Sequence, residues 1–291
     1  MIDEIVFVHP KDMQDGKVTI TENDIITNLP YVPGAHMVFD HHHSETVRVG
    51  PQANHIIDAS APSAARVIYN EFGGAEFFTD VPLELMEAVD KADSAQYTIE
   101  EILDPTGWTL LNFLMDSRTG LGRFRHFTTS NFDLMMKLIH ACHQLESVDE
   151  ILAMRDVRER AELFHAHTEP FIDQLRRVST VHDDVVVVDL RGEDVIYAGN
   201  RFMVYALFPE VRVSIHAIWG RDKQNTVFAV GKSIVDRSSP ADVGSIMLEY
   251  GGGGHQAAGT CQVDNDDAGR VLGELIQALT RPRVAAGHQA R

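Results

Sequence analysis

The sequence predicts an α/β protein of two domains, a parallel-sheet N-terminal domain and a smaller C-terminal α/β domain with a mixed sheet, joined by a helical linker. Three observations carry that expectation. Short apolar runs of strand length alternate with helical segments in the first part of the chain. Residues 131–179 then keep helical spacing without a single glycine, and from about Thr180 the period switches to strands. At 291 residues the chain is also too long for one ordinary core. The expected boundaries are 1–130 for the first domain, 131–179 for the linker, 180–280 for the second domain and 281–291 for a tail.

In chain order, Ile5-Val6-Phe7-Val8 reads as a buried strand and Asp12–Gly16 as a turn. Asp24-Ile25-Ile26-Thr27 is a second short strand, ending at Asn28. After the turn at Pro33-Gly34, His36-Met37-Val38-Phe39 is a third, and Asp40-His41-His42-His43-Ser44-Glu45 comes directly after it. Asp40 and the imidazoles thus stand at the carboxyl end of a strand, where open α/β sheets place their ligands. Carboxylate and imidazole together suit manganese, iron or zinc, and the alternative is a solvated polar turn. Asn28 lies just beyond its own strand and reads first as the start of a loop before Pro30.

Pro62–Phe72 is a good helix, with Ala64, Val67, Ile68 and Phe72 on one face, Gly73-Gly74 as its stop and Ser60 or Ser63 as its cap. A further helix runs from Pro82 to Ala92. It puts Asp90 and Asp93 on one side, and a carboxylate at a helix C-terminus opposes the macrodipole, which makes Asp93 a candidate functional group. Asp116–Arg125 combines glycines with Arg118, Arg123 and Arg125; such a loop can fork onto phosphate oxygens or simply line a surface turn. The helical stretch 131–179 carries its apolar residues at Leu134, Met135, Leu138, Ile139 and Cys142, then Ile151, Leu152, Val157, Ala161 and Phe164.

Strands are expected at Val185–Val188, Val195–Tyr197, Met203–Phe208, Val211–Trp219 and Thr226–Val230, with a hairpin at Asp222–Asn225. Gly251-Gly252-Gly253-Gly254-His255, with Ala257-Ala258-Gly259 close behind, reads as bare backbone amides able to approach an anion, or else as a hinge. It is neither a P-loop nor a dinucleotide fingerprint.

Composition narrows the function class. The formal charge is -18, and no Lys/Arg-rich block exists, which argues against a duplex-DNA footprint. Cys142 and Cys261 lack paired spacing, so neither a disulfide framework nor a cysteine zinc site is expected, and a reducing compartment is the default. The start lacks signal-peptide character and no apolar run is long enough for a membrane span, so the expected location is cytoplasmic.

Asp40-His41-His42, taken with Gly252-Gly253-Gly254-His255 and Ala257-Ala258-Gly259, resembles the DHH phosphoesterase superfamily in its members with an associated C-terminal substrate-binding domain. His9–Met13 and Asn28–Tyr31 resemble an exopolyphosphatase-like branch of it. The resemblance implies two manganese ions, held here by Asp40, His41, Asp93 and Asn28, with His42 contacting or protonating the scissile phosphoester. It places substrate contacts at Ser233, Arg237, Gly252, Gly253, Gly254 and His255, to which the loop adds Arg118. Two departures from the family pattern stand out. Asn28 replaces the usual bridging Asp, and the first motif, Asp-x-Asp, is missing, so the N-terminal domain reads as shortened and one ion or none is a real alternative to two. The expected function is a manganese-dependent phosphoesterase acting on small phosphorylated substrates, short oligonucleotides or polyphosphate. The alternatives are an oligoribonuclease or adenosine bisphosphate phosphatase, or a metal-poor, non-catalytic phosphate- or nucleotide-binding protein. A homodimer is a further expectation, since a lost strand would bare apolar sheet surface.

Overall fold

The computed structural model describes residues 2–124, 126–144 and 147–280. Arg125 and the tail expected at 281–291 lie outside the described residues. The chain divides into two compact units, Met1–Gln96 and Tyr97–Arg291.

The first unit contains α1 (Pro10–Gln14), β1 (Ile25–Thr27), β2 (Met37–Asp40), α2 (His43–Val49), β3 (His55–Ile57), α3 (Ala64–Glu71) and α4 (Leu83–Ser94). Among the described residues its three strands form a parallel sheet in the order β1-β2-β3, with Thr27 opposite Phe39 and Asp40 opposite Ile57. The central strand is buried without alternation from Val38 through Asp40, as a strand covered on both faces must be. Met13, Ile26, Ala35 and Val38 make a small core, which Val8, Val18 and Ile20 help to cover. The register puts Asn28, Asp40 and Asp58 at the same carboxyl edge of three neighbouring strands.

Three local expectations change in this unit, the first being that Asp12–Gly16, expected as a turn, begins inside the short helix α1. Ile5–Val8 forms no strand: Val6 and Phe7 are exposed and only Val8 packs on the small core. A four-residue apolar run is extended only where a neighbouring strand accepts its hydrogen bonds. Residues 43–57, for which no element is expected, hold α2 and β3. The helix is too short for a periodicity signal, and Gly50, at φ 69°, ends it.

The second unit opens with α5 (Ile99–Leu103), α6 (Gly107–Met115), α7 (Asn131–His143), α8 (Val148–Ala153) and α9 (Arg155–Val178). It continues through β4 (Ser179–His182), β5 (Val185–Asp189), α10 (Met203–Leu207), β6 (Val213–Trp219), β7 (Thr226–Lys232), α11 (Val243–Leu248), β8 (Gly253–His255), β9 (Ala258–Val263) and α12 (Ala268–Thr280). The sheet order is β4-β5-β6-β7-β9-β8, mixed as expected, with β5 and β6 parallel and the other pairs antiparallel. Val271, Leu275 and Leu279 of α12 recur on one helical face and seat on Val185, Val187, Val213, Ile215 and Phe228.

Residues 97–130, expected in the first domain, belong instead to the second unit. Tyr97 lies against Phe113 and Phe202 at ring-centroid distances of 4.9 and 5.8 Å, and Asn200 Nδ2 donates to the Ile102 carbonyl at 2.8 Å. Val195–Tyr197 is not a strand, because the buried Gln174 amide takes its backbone: Tyr197 N donates to Gln174 Oε1 and Gln174 Nε2 to the Val195 carbonyl. Met203–Phe208 is largely a helix rather than a strand. Met203, Val204 and Tyr205 are all buried, and an apolar run buried all round carries no period to tell the two apart.

Candidate active site

Asp40 closes β2 fully buried. Its Oδ1 accepts from His41 N at 2.8 Å, His42 N at 3.3 Å and His42 Nδ1 at 2.7 Å. Its Oδ2 is buried with no hydrogen-bond partner among the described residues. His42 caps α2 and keeps about half of its side chain exposed. The hydrogen bond its Nδ1 gives to Asp40 raises its pKa against an opposing burial effect, so it holds a proton more readily than a free imidazole.

His41 faces the other way. Its Nδ1 lies 3.1 Å from the Ala61 carbonyl, which can only accept, so Nδ1 carries the proton. That leaves Nε2 buried and 3.1 Å from Asp93 Oδ2, without the alignment of a hydrogen bond. An imidazole lone pair this close to a carboxylate needs a cation between or beside them, either a proton or a metal ion. Without metal the proton is favoured: the Asp93 contact raises the His41 pKa, with burial opposing and the Ala61 carbonyl helping.

Asp93 is delivered by α4, which is strapped to α3. Asp90 accepts from Ser63 Oγ at 2.7 Å and from Arg66 Nε and Nη2 at 2.8 and 2.5 Å. Ser63, rather than Ser60, also caps α3 by accepting from Arg66 N. The two carboxylates expected on one side of the helix therefore divide their work, Asp90 gripping α3 and Asp93 reaching His41. Glu45 is a second strap. Nearly buried, it accepts from Tyr31 N and from Arg48, fixing α2 to the chain just after β1. Asn28 adopts φ 56°, a left-handed conformation Asn tolerates well, and its N–H donates to the Phe39 carbonyl beside Asp40.

The remaining sequence-derived positions belong to the second unit. Arg118 Nε donates to Asp116 Oδ1 at 2.7 Å, and Arg201 Nε reaches Asp116 Oδ2 at 3.2 Å. Burial opposes ionisation of Asp116, but the Arg118 contact, with Arg201 behind it, holds its pKa below the usual carboxylate value. Ser233 is buried, and its Oγ accepts from Val235 N and Asp236 N, closing the turn from which Arg237 Nε donates to the Ile234 carbonyl. Gly253–His255, read as open loop amides, is an edge strand paired with Ala258–Thr260. Close packing accounts for two of the glycines of this run: a Cβ on Gly252 would lie 2.1 Å from the Thr260 carbonyl oxygen, and one on Gly254 2.3 Å from that of Ala258. His255 Nδ1 accepts from Ala257 N at 3.2 Å within the same hairpin. Sequence reasoning misses Arg201 and the Ser63–Arg66–Asp90 strap, since no motif marks a partner that only the fold brings near.

The chemistry of the donors at the first cluster suits a divalent cation. Asp40 Oδ2 and His41 Nε2 are orphaned and buried, and Asp93 Oδ2 adjoins the latter. Among the described residues no three His, Cys, Asp or Glu side chains close on a common point. The His41–Asp93 pair is therefore the place where a cation could sit, its coordination completed by water or substrate oxygens.

Comparison with known proteins agrees with this architecture. The solved structure of PggH, a pGpG-specific phosphodiesterase from Vibrio cholerae, matches 96% of this chain and 90% of its own at 57% sequence identity, with a TM-score of 0.82. The chain belongs to the DHH phosphoesterase superfamily. It is a phosphohydrolase of the DHH type. An exopolyphosphatase-related protein from Bacteroides fragilis is matched at 14% identity over 84% of this chain and 64% of that one, TM-score 0.45. An A-adding tRNA nucleotidyltransferase from Aquifex aeolicus (strain VF5) is 27% identical over 116 residues, 38% of this chain, and the chain spans 14% of that curated relative. No family model matches the sequence. No helix among the described residues is long and apolar enough to cross a membrane.

Proposed function

We propose that this DHH phosphohydrolase is a manganese-dependent phosphodiesterase that cleaves the linear dinucleotide pGpG. The observation that carries the reading is the 57% identity to a pGpG-specific phosphodiesterase across 96% of the chain. Within it lie the Asp40–His42 and His41–Asp93 pairs, with Asp40 fully buried. The anionic character of the whole chain, -18, fits a small substrate better than long nucleic acid.

In this reading His41 and Asp93 would hold a manganese ion whose remaining positions water or substrate oxygens fill, with Asp40 and the Asn28 amide as neighbouring donors. The ion supplies positive field to the charge that develops on the phosphoryl oxygens. The chain's own groups do the rest. Asp40 Oδ1 orients His42 through Nδ1 and favours its protonated form. His42 then gives a proton to the O3′ leaving group as the P–O3′ bond breaks and a water oxygen bonds to phosphorus, giving two molecules of GMP. Asp90, Ser63 and Arg66 hold α4 so that Asp93 stays at His41.

The test is product release from pGpG, polyphosphate, a cyclic dinucleotide and adenosine 3′,5′-bisphosphate, each with and without manganese. GMP from pGpG, dependent on manganese and reduced at least about a hundredfold in His42→Ala, is the expected result. Phosphate release from polyphosphate with pGpG untouched would give the reading to an exopolyphosphatase. Loss of neither metal dependence nor turnover in His42→Ala would remove that residue from the chemistry.

A further inference from the structure

Helix α2 carries His42 at its N-cap, yet the usual means of holding a helix in place are missing. It is seven residues long, too short to persist without tertiary support. The His42 side chain makes no cap hydrogen bond, because its ring is turned to Asp40. Val47 is exposed, and the one buried residue of the helix is Glu45. A glutamate three residues after the N-cap ordinarily reaches back to the N-cap N–H. Here Asp40 Oδ1 already accepts from His42 N, at 3.3 Å, and Glu45 points elsewhere.

Its target is the backbone of Tyr31. Glu45 Oε2 accepts from Tyr31 N at 2.9 Å, and Arg48 Nη2 donates to the Tyr31 carbonyl at 3.0 Å. The two side chains also bind each other, Arg48 Nε donating to Glu45 Oε1 at 2.7 Å and Nη2 to Oε2 at 2.5 Å. Both backbone polar groups of Tyr31 are thus satisfied by α2, much as a neighbouring strand would satisfy them. Tyr31 is a firm anchor. Its ring lies 5.1 Å from that of His55, its hydroxyl donates to Asn54 Oδ1 at 3.1 Å, and it packs on the small core of Ile26 and Val38.

An apolar residue at position 45 would bury α2 without desolvating a charge, and a buried ion pair adds little stability over such a replacement. What the carboxylate adds is direction. Bonds to one N–H and one guanidinium fix the rotation of the helix, which a purely apolar contact leaves free to slip. A slip of one residue turns an α-helix by about 100° and would swing His42 off Asp40.

We infer that Glu45 is a positioning residue for the hydrolysis: hung on Tyr31 and braced by Arg48, it holds α2 in the rotation that keeps the His42 ring on Asp40 and aimed at the leaving oxygen. The inference rests on the reading of His42 as the proton donor to O3′. Every group it invokes belongs to the first unit.

The test measures kcat and KM, with manganese, for pGpG and for the p-nitrophenyl ester of GMP, whose phenolate departs without needing a proton. The proteins are the full chain, Glu45→Gln, Glu45→Ala, His42→Ala and the double variant Glu45→Ala/His42→Ala. Glu45→Ala lowers kcat for pGpG about ten- to a hundredfold with KM within about twofold, while kcat for the aryl ester falls less than about threefold. Glu45→Gln, which keeps an oxygen for Tyr31 N but loses the bidentate grip of Arg48, falls between Glu45→Ala and wild type. In the double variant the Glu45 change has no effect beyond that of His42→Ala. An equal fall on both substrates, or losses that multiply in the double variant, overturns the inference, since a merely structural role produces those results. Amide hydrogen exchange separates this from the parent reading. In Glu45→Ala the amides of residues 43–49 exchange at least about tenfold faster, while Val38 and Phe39 of β2 keep their protection, so the unit is still folded. If the wild type cleaves no pGpG, the parent reading fails and exchange alone decides: selective loss of protection in α2 supports the role of Glu45, and wild-type protection there rejects it.

Discussion

His216 lies mid-strand in β6, between Val188 and Ala229, and burial pushes its pKa down to about 4. The unfolded chain, with its histidine near the ordinary value of 6.5, binds the proton more readily than the folded one. Stability supplied by the neutral ring is therefore present above pH 6.5 and is lost as pH falls toward 4. Chemical denaturation of the wild type should show an unfolding free energy that rises by on the order of 2 kcal/mol across that window, and His216→Gln should lack that rise. Parallel curves for the two proteins would mean the ring is solvated after all. A second residue-scale expectation concerns Asp93. Removing its charge in Asp93→Asn leaves His41 Nε2 without its anionic neighbour and should weaken manganese binding roughly tenfold or more by calorimetry. Unaltered affinity would take Asp93 out of the ion's surroundings.

At the scale of elements, the pair α3–α4 decides whether Asp93 meets His41 at all. Ser63, Arg66 and Asp90 form a part-buried network between the two helices, and breaking one member leaves another unpaired. Arg66→Gln should cost about 1–3 kcal/mol in a urea melt and lower kcat by about tenfold, with manganese affinity falling in step. A stability loss without a change in manganese affinity would show that the strap is structural only. The motif residues are legible in the sequence because their signal is local: Asp40, His41 and His42 are consecutive at a strand end, and Asp93 stands out by opposing its helix dipole. Arg201 and Arg66 are not, because each meets its partner across 85 and 24 residues of sequence, and nothing short-range encodes such a pairing. Strands with a clear run, Val185–Asp189, Val213–Trp219 and Thr226–Lys232, are legible nearly to their ends. Met203–Leu207 reads as a strand and folds as a helix because its residues are mostly buried, leaving no polar face to set a period. Glycines 252–254 read as bare amides open to an anion or as a hinge, and close packing on the neighbouring strand's carbonyls accounts for two of them.

For the molecule as a whole, long-range charge and local charge pull in opposite directions. With 43 acidic against 25 basic residues, an anionic substrate approaches against repulsion. That repulsion acts over distances that salt screens, since the Debye length falls to about 8 Å at physiological ionic strength. Raising KCl from about 0.01 to 0.15 M should therefore lower KM for pGpG about two- to threefold. A marked rise in KM would mean that exposed cations dominate capture.

The bond between His41 Nδ1 and the Ala61 carbonyl gives the loop from Asp58 to Ser63 an unusual status. Surface loops generally absorb insertions, because nothing depends on their exact length. This one lends a main-chain oxygen to an imidazole, and it is itself pinned, Asp58 N to the Asp40 carbonyl and Ala61 N to the Asp58 carbonyl. No side-chain substitution can delete that oxygen, but one added residue can carry it out of reach. A single glycine inserted after Ser60 should therefore silence the enzyme as thoroughly as replacing His41, while a similar insertion in the turn at Asp222–Gln224 should be absorbed.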